Sequence, residues 1–184
     1  MYAKEMVKQS LPLIVFCGLG AIVTGSTLGV MKDLLREIPG LIVIVPAIIA
    51  LRGNISTAFG SRLGSAYHLG IIGSDNLWNE ELKQNILGSF ILSLFVSVII
   101  GLLAYVTSVI LNVYPDPVKL ISIVLIAGVV SAVILNLMTI AIIYLVFKRG
   151  YDPDNITGPA LATFGDIITM LSLFGSALFV EVIL

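Results

Sequence analysis

The sequence predicts an all-α, polytopic membrane protein with five transmembrane helices in a single domain, residues 1–184. Three observations predict it. The chain is 58% hydrophobic and only 11% charged, whereas ordinary globular chains are about a quarter charged. Its mean hydropathy is +1.10. Its apolar runs fill almost the whole length, and each reaches the ~20 residues that a spanning helix needs. A net charge of −1 offers no basic surface for nucleic acid. The single Cys17 excludes an internal disulfide and reads as a packing residue. Met1-Tyr-Ala-Lys-Glu does not read as a strong signal peptide, because the run behind it is too long for an h-region and lacks a clear small-residue cleavage site.

The first span is expected over 11–31, entered through Lys4 and Lys8. Pro12 suits its first turn, where a missing N–H costs nothing. Gly18, Gly20, Gly25 and Gly29 give it a small-residue face, and Gly25-xxx-Gly29 permits close helix approach. Residues 32–38 read as a short polar connection. The stretch 39–72 is too long for one ordinary span, since it would reach ~50 Å against a ~30 Å core. It reads as a span over 39–61 whose polar end continues to about 72, with kinks or local breaks at Pro46 and Gly53. Arg62 then sits at the interface, where it can snorkel, and His68 is placed there too.

Residues 73–83 read as a polar loop with Trp78 as an interfacial anchor. The third span covers 85–111 and ends at Tyr114-Pro-Asp-Pro117. The fourth covers 118–147 and ends in Lys148-Arg149, and Asp152-Pro-Asp-Asn155 makes the next turn. The fifth covers 159–183, with Glu181 solvated near its outer end. Lys4, Lys8, Arg62, Lys83, Lys148 and Arg149 collect on the N-terminal side, against Lys32, Arg36 and Lys119 on the other. Positive charge favours the cytoplasm, so the N-terminus of this multi-pass cell-membrane protein is expected inside.

The functional signal is Asp166, a carboxylate well inside the apolar fifth span. An ionised group in hydrocarbon costs a few kcal/mol or more and usually marks function. Counted from Pro159, Asp166 lies ~10 Å from the cytoplasmic face; counted from Pro39, Arg52 lies ~20 Å and Asn54 ~22 Å from the other. Arg52, Gly53, Asn54 and Asp166 therefore share one layer of a ~30 Å core. A hard cation such as Mg2+ takes oxygen ligands, keeps several waters and uses one or two carboxylates. Asp166, Asn54 and Thr163 are the expected metal ligands. Gly53, Thr57, Gly165 and Thr169 are the expected pore lining, with carbonyls freed near the two glycines. Without a His or Cys cluster, a soft-metal site is disfavoured. Asp152 and Asp154 at the cytoplasmic mouth are either cap residues or a cation-concentrating pair.

Arg52 is expected to point away from the ion axis, toward helix carbonyls, the interface or another acidic group. A fixed cation ~8 Å from a divalent ion would repel it by ~2 kcal/mol at an effective dielectric of about 40. Asn54, two residues on, is turned by about 200° and so can face the ion when Arg52 does not. The competing reading is a non-transporting membrane scaffold held by a structural Asp166–Arg52 pair. An intramembrane aspartyl protease using Asp152 and Asp166 is disfavoured: the motif order is wrong, Thr163 replaces an expected glycine, and Asp152 sits in a turn.

The tract Pro46-Ala-Ile-Ile-Ala-Leu-Arg-Gly-Asn-Ile-Ser-Thr-Ala-Phe-Gly-Ser-Arg-Leu-Gly-Ser-Ala66 resembles the second helix of the MgtE magnesium transporter superfamily, closest to its eukaryotic solute-carrier branch. Asp152-Pro-Asp-Asn-Ile-Thr-Gly-Pro-Ala-Leu-Ala-Thr-Phe-Gly-Asp166 is similar to that family's approach to its fifth helix. The resemblance implies a parallel homodimer of five-helix units, with a pore between them lined by the second and fifth helices. It implies that Asp166 binds a largely hydrated Mg2+ and that Gly53-Asn54 occupies the family's Gly-Asn pore position. The family's large cytoplasmic regulatory domains and its fused double units have no counterpart in these residues. One visible buried carboxylate per unit favours passive flux, in which a divalent ion gains ~4.6 kcal/mol per 100 mV of membrane potential.

Overall fold

A computed structural model describes residues 2–73, 78–149 and 153–184. Six helices follow in order: α1 (Tyr2–Val30), α2 (Lys32–Glu37), α3 (Leu41–His68), α4 (Glu80–Ile110), α5 (Pro117–Lys148) and α6 (Pro153–Ile183). Among the described residues, five are long and apolar enough to cross a membrane: α1, α3, α4, α5 and α6. Contacts between them give alternating directions. Gly53 and Gly60 of α3 meet Gly165 and Leu161 of α6, so those helices are antiparallel. Ser89 of α4 meets Asn136 of α5, and Gly101 meets Ile121, again antiparallel. Cys17 and Gly20 of α1 meet Pro159 and Thr163 of α6, which makes that pair parallel. This is the order that five successive crossings produce.

Helix α3 packs against α4, α5 and α6, whereas α1 rests on α6. The larger core lies at the α2 end of the bundle, around Leu41, Ile44, Ile48, Leu120, Ile123 and Met170. A smaller cluster, Phe59, Leu63, Leu82 and Ile143, closes the other end. Helix α4 presents Ser89, Ser93 and Ser97 inward at four-residue spacing, all buried. Hydroxyls of Ser93 and Ser97 donate to the carbonyls of Ser89 (2.6 Å) and Ser93 (2.7 Å), so no donor is stranded. Small residues let backbones approach, the usual basis of helix association in lipid. Gly128 of α5 accordingly seats against Ser97 and the Ser93 carbonyl.

Several expected boundaries move. Pro12 is not in a first turn, because α1 starts at Tyr2 and encloses it. Of the small-residue face, Gly20 packs on Thr163, while a methyl at Gly18, Gly25 or Gly29 would meet nothing within 4 Å. The polar connection at 32–38 contains the helix α2, anchored by buried Leu34 and followed by Gly40 at φ +82. Helix α3 is continuous through Pro46 and Gly53, without the expected breaks. Its 28 residues span ~42 Å, longer than a hydrocarbon core. Helix α4 begins inside the expected loop because Asn79 caps it, its Oδ1 accepting from the Leu82 N–H at 3.0 Å. Helix α6 begins at Pro153 rather than Pro159, since proline suits a first helical position and Pro153 comes first. Glu181 is not simply solvated: it pairs with Lys119 at 2.6 Å, joining the end of α6 to the start of α5.

Candidate functional site

The expected layer is built by a close crossing of α3 and α6. A Cβ placed on Gly165 would lie 3.8 Å from the Gly53 Cα. Gly165 is buried and Gly53 half-buried. A methyl at Gly53 would meet nothing within 4 Å, so the approach is on the Gly165 side, and the sequence neighbours Arg52, Asn54 and Asp166 share that level. Asp166 lies nine residues past Thr157, or ~14 Å along α6.

Asp166 is half-buried, and no hydrogen bond or ion pair joins it to the described residues. A carboxylate in that position keeps all its acceptor sites for an incoming donor or cation. Asn54 is exposed on α3. Arg52, on the other side of Gly53, is 2% exposed. Its Nη1 donates to the Ser93 hydroxyl of α4, and its Nε has no partner. The guanidinium thus turns toward α4, away from Asp166, and the structural Asp166–Arg52 pair is not formed. The expected direction holds, but the partner is a serine hydroxyl rather than a carbonyl or an acid. The Ser89–Ser93–Ser97 spacing was the available signal for it.

The remaining candidates are distributed around this crossing. Thr57 is half-buried, and its Oγ1 lies 3.0 Å from the Gly53 carbonyl and 3.1 Å from that of Asn54. Helix continuity and this hydroxyl keep the Gly53 carbonyl engaged, so the expected freed carbonyls are not present there. Thr163 is turned toward α1: its methyl abuts Gly20, and its Oγ1 donates to the Pro159 carbonyl at 3.0 Å. That proton is committed, while the oxygen lone pairs remain. Thr169 is fully buried one turn beyond Asp166, and its hydroxyl has no partner. Asp154 lies in the first turn of α6. Asp152 lies outside the described residues.

On the N-terminal side of the crossing, α3 and α6 enclose a cavity of about 360 Å³. Thr57, Ser61, Ser65, His68, Thr157 and Leu161 contribute to its wall. Thr157 is 8% exposed, with its hydroxyl unpartnered. Sequence reasoning did not find this cavity, although Ser61, Ser65 and His68 follow Thr57 at three- and four-residue steps along one face of α3. Among the described residues, no three His, Cys, Asp or Glu side chains gather in one place.

Comparison with known proteins gives a consistent result. The family model for MgtE, described as a divalent cation transporter, matches residues 45–176. The chain is 28% identical over 175 residues to Solute carrier family 41 member 2 of Gallus gallus, covering 90% of this chain and 30% of that protein. The Homo sapiens protein of the same name is 27% identical over the same length and shares. Solute carrier family 41 member 3 of Rattus norvegicus is 27% identical over 166 residues, 85% of this chain and 35% of that protein. The chain therefore spans about a third of the length of these relatives.

Proposed function

The chain belongs to the MgtE family of divalent cation transporters, and from that premise we propose that it conducts Mg2+ through a pore at a homodimer interface, with Asp166 as the cation ligand. The observation that carries this reading is the half-buried, unpartnered Asp166 beside the Gly53–Gly165 crossing. Mg2+ sheds its waters reluctantly and is commonly held by one or two carboxylates. One chain supplies one such carboxylate at this level, and a two-fold axis along the membrane normal supplies two for a single ion.

Asp166 provides the charge that draws the ion into the low-dielectric layer. The exposed Asn54 amide hydrogen-bonds the water shell from α3, and the half-buried Thr57 extends the polar surface by one turn; Thr169, expected in the pore lining, is fully buried and does not face it. Thr163 contributes its oxygen lone pairs from the α1-facing edge. Asp152 and Asp154 concentrate cations at the cytoplasmic mouth. The excess of Lys and Arg on the N-terminal side orients the multi-pass chain with its N-terminus in the cytoplasm of a cell membrane. Membership of a transporter family argues against aspartyl-protease chemistry.

The test is Mg2+ uptake by the purified chain in liposomes, with and without an imposed potential or Na+ gradient. Uptake that follows the potential and needs no Na+ supports passive conduction. Absence of uptake under every gradient contradicts the proposal.

A further inference from the structure

A second feature lies away from the α3–α6 crossing. On the outer surface of the bundle, α4 and α5 leave a groove of about 430 Å³. Ile86 and Phe90 of α4 and Val133 and Leu137 of α5 form its walls, with Trp78 and Lys83 at one end. The floor is sealed by polar groups turned inward: Asn136 accepts from the Ser89 hydroxyl at 3.0 Å. What remains facing outward is apolar. Phe90 lies seven residues beyond Lys83, so the groove runs ~10 Å into the hydrocarbon from its charged end.

That end sits at a membrane interface by its chemistry. Trp78 is 68% exposed immediately before α4, the amphipathic ring position favoured at headgroup level. The Lys83 ammonium gives one hydrogen bond to Glu80 at 2.7 Å and keeps two further donors. Glu81, the other acid of this turn, accepts from Asn85 at 2.9 Å. Exposed Lys148 and Arg149 end α5 on the same side, with Lys148 roughly 12 Å past the groove residue Ile140. Basic side chains at the mouth of an apolar interhelical groove are the chemistry that holds an anionic lipid headgroup above its acyl chain.

We propose that this α4–α5 groove binds one acyl chain of an anionic phospholipid from the leaflet on the N-terminal side, with Lys83 reaching its phosphate. The site requires only the membrane-spanning bundle and is independent of the transport reading. Lys83 supplies the headgroup selection, Trp78 packs at the glycerol level, and Val133 and Leu137 flank the chain.

Trp78 is the only tryptophan of the chain, so it reports on the groove it lines. The full chain is reconstituted with phosphatidylglycerol or phosphatidylcholine brominated on the acyl chains, and quenching of Trp78 fluorescence gives the relative binding constant at that spot. The expected ratio favours phosphatidylglycerol by about fivefold, equivalent to ~1 kcal/mol for one basic side chain near the headgroup. Lys83→Gln removes the preference and leaves quenching by phosphatidylcholine. Val133→Phe fills the groove and lowers quenching by both lipids; Val133 is 47% exposed, so the larger ring is accommodated without disturbing the core. Equal constants for the two lipids in the unmodified chain would overturn the headgroup assignment. Quenching untouched by Val133→Phe would overturn the acyl groove. Protection of Trp78 from both lipids, relieved on dilution to monomer, would assign the groove to a second copy instead.

Discussion

Arg52 on α3 donates to the hydroxyl of Ser93 on α4 and makes no ion pair with Asp166, although both charged residues lie at the level of the Gly53–Gly165 crossing. A buried guanidinium held by a neutral hydroxyl is an expensive arrangement, because desolvation is only partly offset by the bond. It fixes the face of α3: with Arg52 committed to α4, Asn54 is left on the exposed side. The buried guanidinium is thereby turned away from Asp166.

This arrangement predicts coupled effects in a double-mutant cycle. Ser93→Ala strands the guanidinium and lowers stability by about 1.5–3 kcal/mol, the range for a hydrogen bond to a charged group. Arg52→Met removes the charge, so adding Ser93→Ala to it costs far less. Thermal unfolding of the four proteins in one detergent checks this; additive losses would contradict it. Arg52→Gln lowers stability or assembly more than it alters ion selectivity.

Asn54→Ala has the reverse signature. The side chain is exposed and makes no hydrogen bond with the described residues. Its loss leaves the unfolding temperature within a few degrees of the parent, as for a surface substitution worth about 0.5 kcal/mol or less. Discrimination between Mg2+ and other divalent ions, measured by competitive uptake, changes instead.

The Gly53–Gly165 crossing predicts a graded response to bulk. A methyl at Gly165 lies at an ordinary contact distance of 3.8 Å from Gly53 Cα, so Gly165→Ala is tolerated. Gly165→Leu inserts three further carbons and forces the helices apart, at a cost of about 1–3 kcal/mol for overpacking. Uptake assays on both variants separate the cases: activity retained with Ala and lost with Leu.

Much of this arrangement was legible in the sequence. Apolar run lengths fixed five spans, and counting residues from each interface put Asp166 level with Gly53. Helix ends were less legible. Pro153 and Pro159 both suit a helix start, and the turn-like Asp152-Pro-Asp-Asn155 pointed to the second. Asn79 decides the start of α4 through a cap that an Asn–Glu–Glu run only hints at. The partners of charged residues were hidden because they are non-local. Nothing near Glu181 in the sequence indicates Lys119, and Ser93 reads as a small lipid-span residue until α4 is set against α3.

A homodimer with a two-fold axis along the membrane normal is the assembly the proposal expects, since among the described residues one chain offers a single carboxylate, Asp166, at the level of the Gly53–Gly165 crossing. Mass measurement of active protein in nanodiscs checks this. Active particles with the mass of one chain would contradict it.

The central claim is that Asp166 is the cation ligand, and Asp166→Asn tests it most directly because the amide keeps the shape and removes the charge. The measurement is Mg2+ uptake into liposomes by the variant, with folding and assembly verified in parallel. The account predicts a well-folded protein whose uptake falls by about tenfold or more, corresponding to ~1.4 kcal/mol or more of lost ion stabilisation. Near-normal Mg2+ uptake by Asp166→Asn would contradict it.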